Sequence, residues 1–146
     1  MYHVFTIGYR RRSLASFVCA LQEHDVDVLV DVRLRNTSHL AGYTKRDDLR
    51  FLLTQGFGID YEHRPDLAPT DEILERFKQD EDWVAYEEAF TPLLMERDAQ
   101  AVGRSLLATY NRPCLLCAEE TPERCHRRLV AEYWAAHLPC VDIEHL

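Results

Sequence analysis

The stretch CAEETPERCHRR, residues 117–128, places Cys117, Glu119, Cys125, His126 and Arg127 within eleven positions. A thiol beside a helix start can become a thiolate nucleophile, a carboxylate or imidazole can move its proton, and arginines can hold an anion by paired hydrogen bonds. Two further short stretches carry comparable chemistry. YHVFTIGYRRR contains Gly8 and Tyr9 before a run of arginines, and VDVLVDVRLRNTS contains Asp31, Arg33 and Ser38. The sequence reading therefore places Cys117, Glu119, Asp31 and His126 as catalytic. Arg33, Arg127, Gly8, Tyr9, Ser38 and Cys125 are placed as substrate-binding residues.

Chemistry at these positions needs a scaffold that gathers them. YHVFTIG (2–8), VDVLVDVR (26–33), GIDYEH (58–63), PCLLCA (113–118) and the terminal PCVDIEHL read as strands, being β-branched, apolar or alternating. Between them, Leu14, Phe17, Val18 and Leu21 recur at helical spacing after Ser13, a good N-cap. A second helix is expected over about 45–55, with Leu49, Leu52 and Leu53 on its apolar face. The long acidic stretch from Pro69 to Tyr110 is helical, with Thr70 and Thr91 as caps and Pro92 in a first turn. Its Trp83, Tyr86 and Phe90 read as packing residues. A final helical region spans 122–137, capped by Thr121 with Pro122 first inside.

Strand and helix alternate throughout, which predicts a single α/β domain over 1–146, a three-layer sandwich with a mostly parallel sheet and helices on both faces. Right-handed crossovers would bring the carboxyl ends of the strands to one edge, where such folds bind ligands. The three chemistry-bearing stretches all arrive at that edge.

Composition narrows the function classes. Hydrophobic residues make up 47% and charged residues 29% of 146, which suits a globular chain with its own core. No apolar run approaches a membrane span, and no secretory signal is evident, so a cytoplasmic protein with reduced thiols and no membrane partner is expected. The net charge of −8 argues against nonspecific attraction to nucleic acid. The basic residues are nevertheless uneven: eight of 17 lie in 9–50, whereas 12 of 25 acids lie in 62–98.

Several familiar sites are excluded. Cys114 and Cys117 are a CxxC, but inside a strand residues three apart face opposite ways and cannot share an ion. Cys114, Cys19 and Cys140 read as buried packing residues. From Cys117 to Arg124 six residues intervene, and Glu119 and Glu120 stand where a phosphatase loop needs glycines. GYRRRS lacks the glycines of a dinucleotide fingerprint. A set of Cys117, Cys125 and His126 is weakly specified for metal, because neighbours on a helix diverge by about 100°. No metal is expected on this reading, and no cofactor is indicated.

TIGY, LVDVR and LLCAEETPERCHRRLVAEY, in that order, resemble the domain of unknown function 488 family of bacterial and archaeal proteins. The family pattern is TIGHS, then DVR with a loop containing proline and serine, then LLCAE with a downstream CHR. Its polar positions fall here on Gly8, Asp31, Arg33, Ser38, Cys117, Glu119, Cys125, His126 and Arg127. Tyr9 and Arg10 stand where the family has histidine and serine, and LRNTS lacks the proline. The resemblance implies an α/β fold with these motifs at one sheet edge and supplies no reaction.

Three functional readings follow. The first is a polar Cys/Glu/Arg/Asp site that binds a small anionic or nucleotide-like ligand and acts as a cysteine-dependent enzyme, with Cys117 as nucleophile. The second is a nucleic-acid-binding module with an arginine-rich rim from Arg10 to Arg46, stacking bases on Tyr9 or Tyr43. The third is a structural or partner-binding domain presenting the acidic segment 70–98. For the same residues, an internal network pairing Asp31 and Glu119 with Arg33 and Arg127 is an alternative to catalysis.

Overall fold

A computed structural model describes all 146 residues. Five parallel strands, β1 (Tyr2–Gly8), β2 (Val28–Asp31), β3 (Asp60–His63), β4 (Pro113–Cys117) and β5 (Val141–His145), form one sheet in the order β3-β2-β4-β1-β5. The helices are α1 (Leu14–Glu23), α2 (Arg46–Phe51), α3 (Asp71–Asp80), α4 (Trp83–Glu96), α5 (Ala99–Thr109) and α6 (His126–His137). None is long and apolar enough to cross a membrane.

The first two crossovers, β1 to β2 and β2 to β3, run one way along the sheet, and the last two run back. Right-handed connections must then use opposite faces. One apolar cluster joins Phe5, Ile7, Leu29 and Leu116 to Phe17, Leu21, Leu49 and Leu53 of the α1/α2 side. The other joins Val4, Val28, Val30 and Leu115 to Phe90, Leu94, Leu106, Val130 and Trp134 of the α4–α6 side. Alternation along β4 puts Cys114 in the first cluster and Cys117 in the second, as the strand reading of CLLC requires.

The caps at Ser13 and Thr70 form, each side chain accepting a backbone N–H in the first turn of its helix. Four details depart from expectation. α4 is capped by Asp82, whose carboxylate accepts the Ala85 N–H, and runs through Pro92 without stopping at Thr91. Pro92 and Glu88, whose carbonyl loses its N–H partner, are both exposed, so the break in the helix lies on its solvent side. α2 ends at Phe51 and continues as a wider π-helical turn over Leu52–Phe57, closed by Gly58 at φ 64°. Cys19 lies on the solvent side of α1 and Cys140 in the turn before β5, so both are exposed; all five cysteines are free. Finally, α6 starts four residues after the predicted cap. The chain from Ala118 first arches across the end of β1, held by Arg10 N–H on the Ala118 carbonyl and by Arg127 on the Glu119 carbonyl.

That arch explains Gly8. A Cβ there would lie 1.6 Å from the Glu119 carbonyl oxygen. Glycine is required because backbone fills the space, so Gly8 seats the loop.

Candidate functional site

β4 is the strand at which the connections diverge. The chain leaves β1 and β2 toward the α1/α2 face and leaves β4 toward the other. A crevice at the carboxyl end of β4 follows from topology, and Cys117 is its last residue.

Cys125 is the N-cap of α6, with extended backbone (φ −136°, ψ 135°), and His126 is the first helical residue. Their side chains are therefore not separated by a helical step, and the expected divergence of 100° does not arise. Cys117, Cys125 and His126, all buried, bring their sulfurs and a ring nitrogen within 4.8 Å of one another. Cys117 Sγ lies 3.5 Å from His126 Nδ1, and Nε2 of the same ring lies 2.6 Å from the Val32 carbonyl oxygen. A carbonyl only accepts, so the Nε2–H points to Val32; Cys117 Sγ, 3.9 Å from Nε2 as well, lies against the face of the ring rather than in line with either nitrogen.

The two thiols are unequal. The hydrogen bond with Cys125, together with burial, pushes the Cys117 thiol well above its ordinary range. Burial opposes charge on Cys125 too, but hydrogen bonds from Cys117 and His126 and the Arg127 charge outweigh it and hold Cys125 well below that range. The helix start adds its favourable dipole end. Of the two, Cys125 is the thiol favoured to ionise, and Cys117, the predicted nucleophile, is the one burial and its neighbour disfavour.

Arg127 is completely buried. Its Nε donates to Thr6 Oγ1 at 3.1 Å and its Nη1 to the Glu119 carbonyl at 2.6 Å, while Nη2 has no partner. It braces the arch and supplies positive charge behind the thiols, and is not a free hand for substrate.

Above this floor lies a cleft of about 590 Å³. Leu74, Phe77 and Lys78 of α3 and Trp83 and Tyr86 of α4 form one wall; Arg10, Ala118, Glu119 and Arg124 form the other. Trp83 and Tyr86 are stacked at 4.6 Å and Phe77 meets both edge-on. Glu119 reaches the cleft half-exposed, but its carboxylate is held by Arg10 at 2.8 Å. Arg124 is exposed and makes no ion pair, leaving it as the free cation of the rim.

The remaining predicted residues do not join this floor. Asp31 follows Leu29 in alternation and bonds Tyr61, on the α1/α2 face. Arg33 Nε and Nη2 donate to its two carboxylate oxygens at 2.8 and 2.7 Å, and the guanidinium also bonds Thr44 Oγ1 and the Thr44 carbonyl. Asn36 adds a bond at 3.0 Å. Burial would raise the Asp31 pKa, but the hydrogen bonds and charge of Arg33, with Tyr61 and Asn36, bring it below the ordinary carboxylate value. Tyr9 lies under the Arg33 guanidinium, 5.4 Å from its ring centre, on that same side. Ser38 is exposed and caps the 3-10 turn His39–Thr44. Asp31, Arg33 and Tyr9 thus form a strut at the end of β2, and it is Val32, through its carbonyl on His126 and its side chain in the cluster of Cys117 and Cys125, that connects that strand end to the floor.

Of the residues read as catalytic, Cys117, Glu119 and His126 share the cleft, joined by Cys125. Trp83 and Tyr86, read as packing residues, do pack, Tyr86 in the core and Trp83 against it, but with Phe77, which sequence reasoning did not single out, they also line the cleft. Their available signal was three aromatics within ten positions of an otherwise acidic stretch. Phe90, read the same way, does pack, edge-on against His126.

The chain matches the family model described as "Domain of unknown function DUF488" over residues 13–134. The match holds the DVR corner, the aromatic wall and all of CAEETPERCHRR, and begins after Tyr9 and Arg10, the two departures from the motif. No curated protein and no solved structure matches. With most of its length and the entire cysteine–histidine floor inside the matched range, the chain belongs to the DUF488 family.

Proposed function

We propose that the cleft binds a small nucleotide-like anion and that Cys117, Cys125 and His126 make it a cysteine-dependent enzyme. The observation that carries this reading is the pairing of an aromatic wall, Trp83 on Tyr86, with the unpaired cation Arg124 across a floor of two cysteines and a histidine. A planar ring gains apolar contact along the exposed part of this wall, where Trp83 is already stacked on the buried Tyr86. A phosphate or carboxylate gains a charge-assisted hydrogen bond from Arg124. The reacting group then lies over the sulfurs, with Glu119 at the rim.

The arginine rim lends little to the nucleic-acid reading, since Arg10, Arg11, Arg35 and Arg46 each meet a carboxylate and Arg33 is buried. The test is a titration with AMP, adenosine and inorganic phosphate, followed by Trp83 fluorescence and by thermal shift. AMP should bind more tightly than either fragment, and Trp83→Ala and Arg124→Ala should each weaken it. Equal AMP binding by both variants would sink the reading.

A further inference from the structure

We propose that Cys117, Cys125 and His126 bind one divalent transition-metal ion, zinc by the nature of the donors, with a fourth coordination position open to the cleft. The inference rests on reading the cleft as the working site and names the ion that its ligand would meet there.

Geometry supports it first. Zinc holds sulfur at about 2.3 Å and imidazole nitrogen at about 2.0–2.1 Å, so tetrahedral angles separate the two donors by about 3.6 Å. Cys117 Sγ and His126 Nδ1 are 3.5 Å apart, and Cys125 Sγ completes a set within 4.8 Å. The three positions are a strand end, a helix cap and a first helical residue, which lets sequence neighbours converge.

The outer partner agrees. Metal-bound histidines characteristically give their other N–H to a carbonyl or carboxylate, which fixes the ring and the donor nitrogen. Here the Val32 carbonyl takes Nε2–H and leaves Nδ1 as the donor nitrogen; Cys117 Sγ lies against the ring face, 3.5 Å from Nδ1 and 3.9 Å from Nε2, so the ring must turn for Nδ1 to reach an ion held by the sulfurs. Two thiolates and an imidazole suit zinc better than magnesium or calcium, which prefer oxygen.

Charge and access point to an open site. Two thiolates neutralise a dication, the Cys117 proton leaving as the ion binds. The buried, carboxylate-free Arg127 leaves an excess positive charge beside the ion, which favours an anion at the fourth position. All three donor residues line the cleft, so that position is reached from it. Three protein ligands with one open position is the arrangement of catalytic zinc, which lowers the pKa of a bound water to about 7 or polarises a substrate oxygen.

The experiment uses Cys19→Ser/Cys140→Ser protein, in which both exposed thiols are removed and Cys114 remains isolated in the opposite core. After chelator treatment and with a thiol-free reductant, one equivalent of cobalt(II) should give the thiolate charge-transfer band and intense visible bands of a tetrahedral site. Zinc should abolish both, and native mass spectrometry should count one zinc per chain. Adding Cys125→Ser or His126→Ala should weaken cobalt by about 100-fold or more, given that loss of an outer partner alone costs 10–100-fold. Absence of the charge-transfer band in the folded parent protein overturns the proposal without recourse to core variants. AMP bound by the chelator-treated protein that takes no cobalt would overturn the metal site alone. Cobalt bound by protein that ignores AMP would support the site and remove the nucleotide reading.

Discussion

His126 Nε2 donates to the Val32 carbonyl at 2.6 Å, tying the first residue of α6 to the end of β2 across β4. The ring is buried, so no solvent can replace it as donor. His126→Leu, similar in bulk but unable to donate, should lower unfolding free energy by about 1–3 kcal/mol by orphaning that carbonyl. Urea denaturation measures this, and an unchanged midpoint would mean that the carbonyl finds another partner.

The Asp31–Arg33 pair should be felt more strongly. Asp31→Asn leaves Arg33 buried without its counter-charge, at a cost of about 3–5 kcal/mol. Because the folded pKa of Asp31 lies below its unfolded value, the pair's contribution is fully present above about pH 4. It is lost as pH falls through the folded pKa. Parent protein should therefore lose stability on acidification by an increment absent from Asp31→Asn, seen as a flatter acid limb in melts of the variant.

Gly8→Ala drives a methyl into the Glu119 carbonyl and must move the arch of residues 118–125. Overpacking of this kind costs about 1–3 kcal/mol. The same shift displaces Arg124 and Glu119, so AMP binding should weaken in parallel. Loss of stability with binding intact would separate the arch from the cleft.

Pro92→Ala should stabilise. It restores the hydrogen bond to the Glu88 carbonyl in the middle of α4, and an interior proline is worth up to about 3 kcal/mol less than alanine. At about 2–4 °C per kcal/mol for a chain of this size, a clear rise in Tm is expected. A lower Tm would show that the proline ring packs usefully.

Arg124→Ala removes the one unpaired rim cation. A lost charge-assisted bond of about 1.5–3 kcal/mol corresponds to a roughly 10- to 100-fold rise in Kd for AMP. Adenosine, lacking the phosphate, should bind both proteins alike in calorimetry.

The sheet was legible because β1, β2 and β4 carry apolar runs, and α1 and α3 carry the side-chain caps their sequences offer. The opposite facing of Cys114 and Cys117 followed from strand alternation alone. The site was half legible: Cys117, Glu119, Cys125 and His126 belong together, but Asp31 and Arg33 fall behind the sheet. Parity explains that error, since Asp31 shares the face of Leu29, and sequence does not reveal how strand ends align across β2 and β4. The start of α6 was misread because Thr121 and Pro122 make a good local cap. The bond from Arg127 to Glu119, formed only after folding, holds that segment as an arch. Trp83 and Tyr86 were invisible as cleft residues because α3 and α4 could have packed with any face inward.

The place of β4 also orders the making of the molecule. It lies between β2 and β1, and its partners on β1, such as Phe5 for Cys114, precede it by more than a hundred residues. A chain emerging from the ribosome can pair β2 with β3 early, but β1 has no neighbour until the chain has passed Cys117. Closure of so long a loop is slow. The cysteine–histidine floor is thus a late product of synthesis, and any ion or ligand there meets a finished sheet rather than a nascent chain.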